Sequence, residues 1–242
     1  MTKNSCSGMR TSVIAGSSAR ALSDDEPMRT HVALLRGINV LGRNKVSMAD
    51  LRQVVTWLGH GDVATYIQSG NVMFTAAKPD ANSLALADDL EIAIAERLAV
   101  RPAVVVLARR ELTHVVRDNP FRDEDDHRLL HAVFLREAPG PNGVASVKAA
   151  VVRARSNESR DDARVIGRTL YLWTPDGFAR SILRSELSRG GQHRTPMQAG
   201  TARNWGPSTP SCHFWSAELE RSPPRTGCPS LHIRNARQLL DH

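Results

Sequence analysis

The stretch HVALLRGINVLGRNKVSMADLRQVVTWL, residues 31–58, decides how the chain is read. It opens as a short apolar strand, HVALLR (31–36), and then breaks: from Arg36 through Lys45 come two glycines, two asparagines and three cations. Ser47-Met48-Ala49-Asp50 has the form of a capping box, with a hydroxyl at the N-cap and a carboxylate three residues on. Leu51, Val54, Val55 and Leu58 then fall at i, i+3, i+4 and i+7, one apolar helical face. Gly59 and Gly61 end that helix, predicted over 47–59.

Downstream segments complete a pattern. VATYIQ (63–68) and NVMFTA (71–76) are rich in strand formers and flank the turn Ser69-Gly70, where glycine supplies a positive φ. Asn82 or Ser83 caps a second helix that carries Leu90, Ile94 and Leu98 on one face, and AVVVLA (103–108) is a fourth strand. The order βαββαβ is that of a split βαβ, ferredoxin-like (α-β plait) domain.

A short connecting helix (109–119) leads into a second pass through the same order. LLHAVFL (129–135) is a strand and 143–154 a helix. Residues 163–174 form a hairpin turning at Gly167-Arg168, 179–189 is a helix, and GTARNW (200–205) is a last strand. No sequence identity between the halves is evident at this level. The expected fold class is α+β, two ferredoxin-like βαββαβ domains in tandem, 28–108 and 109–205, read as sandwiches side by side.

Composition bounds the partners. The formal net charge is +7, with 41% hydrophobic, 24% charged and only 5% aromatic residues. Residues 28–108 carry a net +1 and 109–205 a net +5. That excess favours anions in general, without the concentrated stripe of a nucleic-acid binder. No run approaches the ~18–20 apolar residues of a membrane span, and the first 27 residues lack a secretory apolar core. The expectation is a cytoplasmic protein with no membrane partner. Cys6, Cys212 and Cys228 fit no zinc spacing, and three cysteines make no disulfide framework. His127 and His131 lack a second ligand pair, so no metal and no cofactor is expected.

In a split βαβ the carboxyl ends of strands 31–36 and 63–68 share one edge of the sheet. That edge collects Arg36, Asn39, Arg43, Asn44, Lys45, Gln68, Ser69 and Asn71, beside the amino end of helix 47–59. Turn and capping chemistry accounts for every glycine and asparagine there. Arg36, Lys45 and Gln68 are not required by any turn, and they point to a site for a phosphate-bearing or other anionic ligand. The glycine spacing is neither a P-loop nor a dinucleotide fingerprint. Ser69 is the one nucleophile at the edge. His60 lies at the far end of its helix, Asp50 is occupied as a cap, and DEDD (123–126) reads as a solvated loop. No catalytic residue is assigned. Alternatives are an enzyme with its site between the domains, to which Arg203 and Asn204 would contribute, and a structural or assembly protein. Single-stranded nucleic acid on a sheet face is the weaker ligand reading, because aromatics make up only 5% of the chain and Tyr66, on a strand as Phe74 is, is expected to fill core.

ALLRGINVLGRNKVSMADLRQVV, VATYIQSGNVMF, NPF, VIGRTLYLWTPDG and TARNW closely resemble DUF1697, a mainly bacterial family of unknown function, in order from about Met28 to Trp205. The resemblance implies two α-β plait domains and no established activity. Arg36, Asn39, Lys45, Gln68, Asn71, Arg203 and Asn204 carry over as signature residues only.

Two ends depart from that family pattern. Residues 1–27, Ser/Ala-rich and preceding the usual start at Met28, are expected to be a disordered leader or the product of a misassigned start. Residues 206–242 hold five prolines and two of the three cysteines where family members continue into an apolar helix. An irregular tail created by a frameshift near residue 206 is the expectation. A locus with no alternative frame encoding Thr-Val and an apolar helix would refute it.

Overall fold

The computed structural model describes residues 29–40, 44–66, 70–78, 80–189 and 196–204. The expected leader and tail, together with Arg43, Gln68 and Ser69, lie outside the described residues. The order is β1 (His31–Arg36), α1 (Met48–Trp57), β2 (Gly61–Tyr66), β3 (Asn71–Thr75), α2 (Ser83–Leu98) and β4 (Ala103–Ala108). It continues through α3 (Arg109–Arg117), β5 (Leu130–Phe134), α4 (Pro141–Arg155), β6 (Asp162–Ile166) and β7 (Thr169–Trp173). Last come α5 (Ile182–Ser188), the single turn α6 (Pro196–Ala199) and β8 (Thr201–Asn204). The protein is α+β, with two four-stranded sheets ordered β2-β3-β1-β4 and β6-β7-β5-β8, all pairs antiparallel.

Local chemistry sets the boundaries. The Ser47 hydroxyl accepts from Asp50 N at 3.0 Å and the Asn82 side chain from Leu84 N at 2.8 Å, so both predicted caps start their helices. β2 begins two residues earlier than expected, because Gly61 pairs with Thr75 across a register shift before Ala64. α4 begins at Pro141 instead of 143, since proline's fixed φ suits the first helical position. The helix expected over 179–189 is divided. A 3-10 turn covers Phe178–Arg180, and α5 starts after Ser181, whose hydroxyl caps Arg184 N and donates to the buried Asp161 carboxylate at 2.8 Å.

Each sheet buries both faces. On the outer face of the first, Val72, Phe74 and Val104 pack with Leu51, Leu90 and Ile94 of α1 and α2. On the outer face of the second, Val133 and Leu170 pack with Val147 and Leu183 of α4 and α5. The inner faces meet: Val32, Leu34, Met73 and Val105 join Ala132, Phe134 and Tyr171 in one cluster, closed by Leu112 and Val115 of α3. The two halves are therefore stacked sheet against sheet, not set side by side as expected.

The stacking also exposes an internal repeat that sequence inspection overlooked. HVALLR (31–36) and HAVFLR (131–136) share His, Leu and Arg at a spacing of one hundred residues. Their surroundings correspond too: Leu35 N donates to Gly70 O at 2.8 Å, and Leu135 N to Arg168 O at 2.9 Å. His31 stacks on Phe74 and His131 on Phe178, each buried on its own outer face.

Candidate functional site

The loop after β1 closes on itself. Gly37, Asn39 and Asn44 adopt φ of +79°, +53° and +50°, and asparagine is among the few non-glycine residues that tolerate this region. The Asn39 amide donates to Val46 O at 3.0 Å and accepts from Val46 N at 2.9 Å, imitating a strand pair. Asn39 N donates to Asn44 O, and Asn44 Nδ2 donates to Gly37 O at 2.8 Å. Asn39 and Asn44 thus shape the loop. Lys45 and the Asn44 side chain stand exposed on its outside.

Gly70, the described residue of the hairpin turn, packs against the start of this loop. A Cβ on Gly70, whose φ is +77°, would come within 2.9 Å of Ile38 Cδ1 and 3.0 Å of Leu35 Cβ. The side chains of Arg36 and Asn71 share the inner face of the sheet, following the alternation that buries Leu34 there.

The second half supplies the opposite wall. Arg203 of β8 pairs in register with Ala132 and so also points inward. Its Nε donates to Asn71 Oδ1 at 3.0 Å, its Nη2 to Leu35 O at 3.2 Å and its Nη1 to Ala202 O at 3.0 Å. Burial pushes the Arg203 guanidinium down to about 10. Arg36 reaches the other way, donating from Nη1 to Gly200 O at 3.0 Å. Between them lies a cavity of about 540 Å³, walled by Arg36, Asn39 and Ile38 on one side and Ser188, Met197 and Arg203 on the other. Neither His nor a carboxylate lines it among the described residues.

Of the candidate residues, Arg36, Asn39 and Arg203 line this cleft, and Asn71 holds Arg203 from behind. Asn44 and Lys45 belong to the same loop as Asn39 and are not part of the cleft lining. Asn204 pairs with His131 at the end of β8, with its side chain outside the described residues. Arg43, Gln68 and Ser69 are outside them as well.

Two further arginines tie the halves together and were not anticipated. Arg168, at the β6–β7 turn, donates to both Glu111 carboxylate oxygens at 3.0 and 2.7 Å, and to Val106 O at 2.7 Å. Burial pushes the Glu111 carboxyl up. The Ala108 N–H, the Arg168 guanidinium and the Ser83 hydroxyl together outweigh it, leaving the group below its ordinary value. Arg136, the repeat partner of Arg36, is held by Asp88 and by Glu91 at 3.0 Å on α2. The shared Leu-Arg pair, which closes β1 at Leu35-Arg36 and follows β5 at Leu135-Arg136, was the sequence signal for Arg136.

The other titratable candidates have structural partners. His60 Nδ1 accepts from Ala77 N at 3.2 Å, and its ring packs on Phe74. Asp126 caps a 3-10 turn and pairs with Arg128. Among the described residues no cluster of three or more His, Cys, Asp or Glu could hold a metal ion, and no helix is long and apolar enough to cross a membrane.

The family model described as protein of unknown function (DUF1697) matches residues 28–171, more than half of the chain, and the protein belongs to that family. The matched segment holds the whole first sheet and ends within β7, so Arg203 falls beyond it. The chain is also similar in structure to a conserved bacterial protein from Streptococcus pneumoniae. The TM-score is 0.56 at 22% identity, over 80% of this chain and 98% of that one, a likeness of fold. No curated protein matches the chain significantly.

Proposed function

We propose that this DUF1697 protein is a binding module for a small anionic ligand, of which a phosphate monoester is the best-fitting class, held in the cleft between the β1 loop and β8. The observation that carries the reading is the convergence of Arg36 from the first half and Arg203 from the second on one cavity of about 540 Å³. Guanidinium groups present planar donor forks that match phosphate and carboxylate oxygens. The size lies within the usual range for a small-molecule pocket, and a boundary between two packed units is a usual place for one. Asn71 and Gly200 O orient the two guanidinium groups, so the first coordination shell is held in place before a ligand arrives.

The same reading treats residues 28–108 and 109–205 as two ferredoxin-like units, supported by the matching strand orders and by the HxxxLR repeat. It places the protein in the cytoplasm. An enzyme working in this cleft would need a general base, and the described lining offers hydroxyls from Ser188 and Thr201 without one.

The test is thermal unfolding of the full chain against inorganic phosphate, mononucleotides, sugar phosphates and short oligonucleotides. A ligand at a hundredfold its Kd adds about 2.7 kcal/mol. The expected result is a shift with a phosphate monoester that is lost in Arg36→Ala. Equal shifts in wild type and Arg36→Ala would place the anion elsewhere and refute the assignment.

A further inference from the structure

Thr201 opens β8 on the wall of the Arg36–Arg203 cavity. It is only 2% exposed, and its hydroxyl has no hydrogen-bond partner. No other described residue of that lining carries a buried side-chain oxygen or nitrogen left in this state. Elsewhere the fold provides for such groups. Thr174, equally withdrawn from water, donates from Oγ1 to Leu129 O at 3.2 Å. Ser188, the other hydroxyl of the lining, donates to Arg184 O at 2.8 Å. A buried hydroxyl without a partner lowers stability, and valine would fill the same space and suit the strand without that cost. Folding alone therefore gives no reason for the hydroxyl at Thr201.

Its place says what could pair with it. Thr201 is in register with Phe134 and Arg203 with Ala132, so the two side chains, two positions apart, share the inner face. The residue before it, Gly200, accepts from Arg36 Nη1 at 3.0 Å. Thr201 thus stands between Arg203 and the carbonyl that holds Arg36. Guanidinium groups only donate, whereas a hydroxyl also accepts. The Asn39 amide, another acceptor in the lining, is committed to Val46 through both its oxygen and its nitrogen. Strand side chains have more than one common χ1 rotamer, so the hydroxyl can turn toward a ligand without movement of β8. A bare phosphate makes use of donors, and a phosphate ester with hydroxyls of its own also needs an acceptor.

We infer that Thr201 sets the specificity of the cleft: its hydroxyl accepts a hydrogen bond from a hydroxyl of the ligand, which makes that ligand a sugar or polyol phosphate. This inference rests on the reading of the Arg36–Arg203 cleft as an anion site and names the ligand class within it.

Isothermal titration of the full chain with glycerol 3-phosphate, ribose 5-phosphate and propyl phosphate tests it. All three are phosphate monoesters, and propyl phosphate lacks hydroxyls. The expected result is binding of a hydroxylated ester roughly tenfold tighter than propyl phosphate. That preference should vanish in Thr201→Val, with propyl phosphate binding unchanged, and survive in Thr201→Ser. Thr201→Val should also melt at or above the wild-type temperature, because the hydroxyl it removes bonds to nothing in the free protein. Equal affinity for the three esters in wild type, or a preference that Thr201→Val keeps, overturns the inference and leaves the anion site standing. A lower melting temperature in Thr201→Val would show a structural duty for the hydroxyl and overturn it too. Absence of binding by all three esters refutes the anion site together with the inference.

Discussion

Arg203 and Asn71, 132 positions apart, are joined by a 3.0 Å hydrogen bond that crosses from the second sheet to the first. The bond sits on the inner faces, where Asn71 is only 5% exposed. It makes a signature residue of the first half the support for a guanidinium of the second.

Asn71→Ala should therefore act at a distance. Removing the amide leaves a buried charged donor short of an acceptor, at a cost of about 1.5–3 kcal/mol. Urea unfolding should show a lower midpoint with unchanged slope. Anion affinity in the cleft should fall even though Asn71 does not line it.

The Arg168–Glu111 clasp makes the same kind of prediction for the two halves as a unit. Glu111→Gln removes the charge while keeping the shape, and should cost about 1.5–3 kcal/mol, since a charge-assisted bond becomes a neutral one. Because the folded Glu111 carboxyl lies below its unfolded value, its contribution is complete above the unfolded value. It is lost as pH falls through the folded one. Wild type should lose stability in that acid window, and the glutamine variant should lose less.

The buried histidines add a second, milder acid transition. Burial pushes His131 down to about 4, and burial likewise lowers His31. A folded value below the unfolded one, about 6.5, means the unfolded chain binds the proton first. The neutral ring's advantage is complete above pH 6.5 and is eroded between pH 6.5 and 4, by about 3 kcal/mol for His131 at most. His131→Phe should flatten that part of the stability–pH curve, measured by urea midpoints across pH 4–7.

Much of this architecture was legible in the sequence. The β1–α1 boundary could be read from Ser47 and its helical stripe, and the hairpin from Gly70, because caps and positive-φ turns are local chemistry. The approach of Gly70 to the β1 loop followed from strand direction. The stacking of the sheets did not emerge, although AVVVLA (103–108) and HVALL (31–35) are apolar on both faces, the pattern of strands covered on both sides. Arg203 was reached through the family resemblance, and its link to Asn71 depends on a register no single segment encodes. Asn39 and Asn44 could be read as turn residues from the sequence, and in the fold they bind their own loop.

Gly200 offers a test of how tightly the cleft is built. A Cβ there would lie 2.5 Å from Val133 Cγ1, 2.7 Å from Leu135 Cδ2 and 2.8 Å from Phe134 O. Gly200→Ala should cost about 1–3 kcal/mol through overpacking, and should displace the carbonyl that holds Arg36. Its melting temperature should fall, and its anion affinity should fall with it.

The most direct measurement is calorimetric titration of the full chain with inorganic phosphate and with a mononucleotide, beside Arg36→Ala. The account predicts one saturable site per chain for the mononucleotide, weakened at least tenfold by the substitution and weakened by added salt. Saturable binding that Arg36→Ala leaves intact, or no binding of either anion, would contradict it.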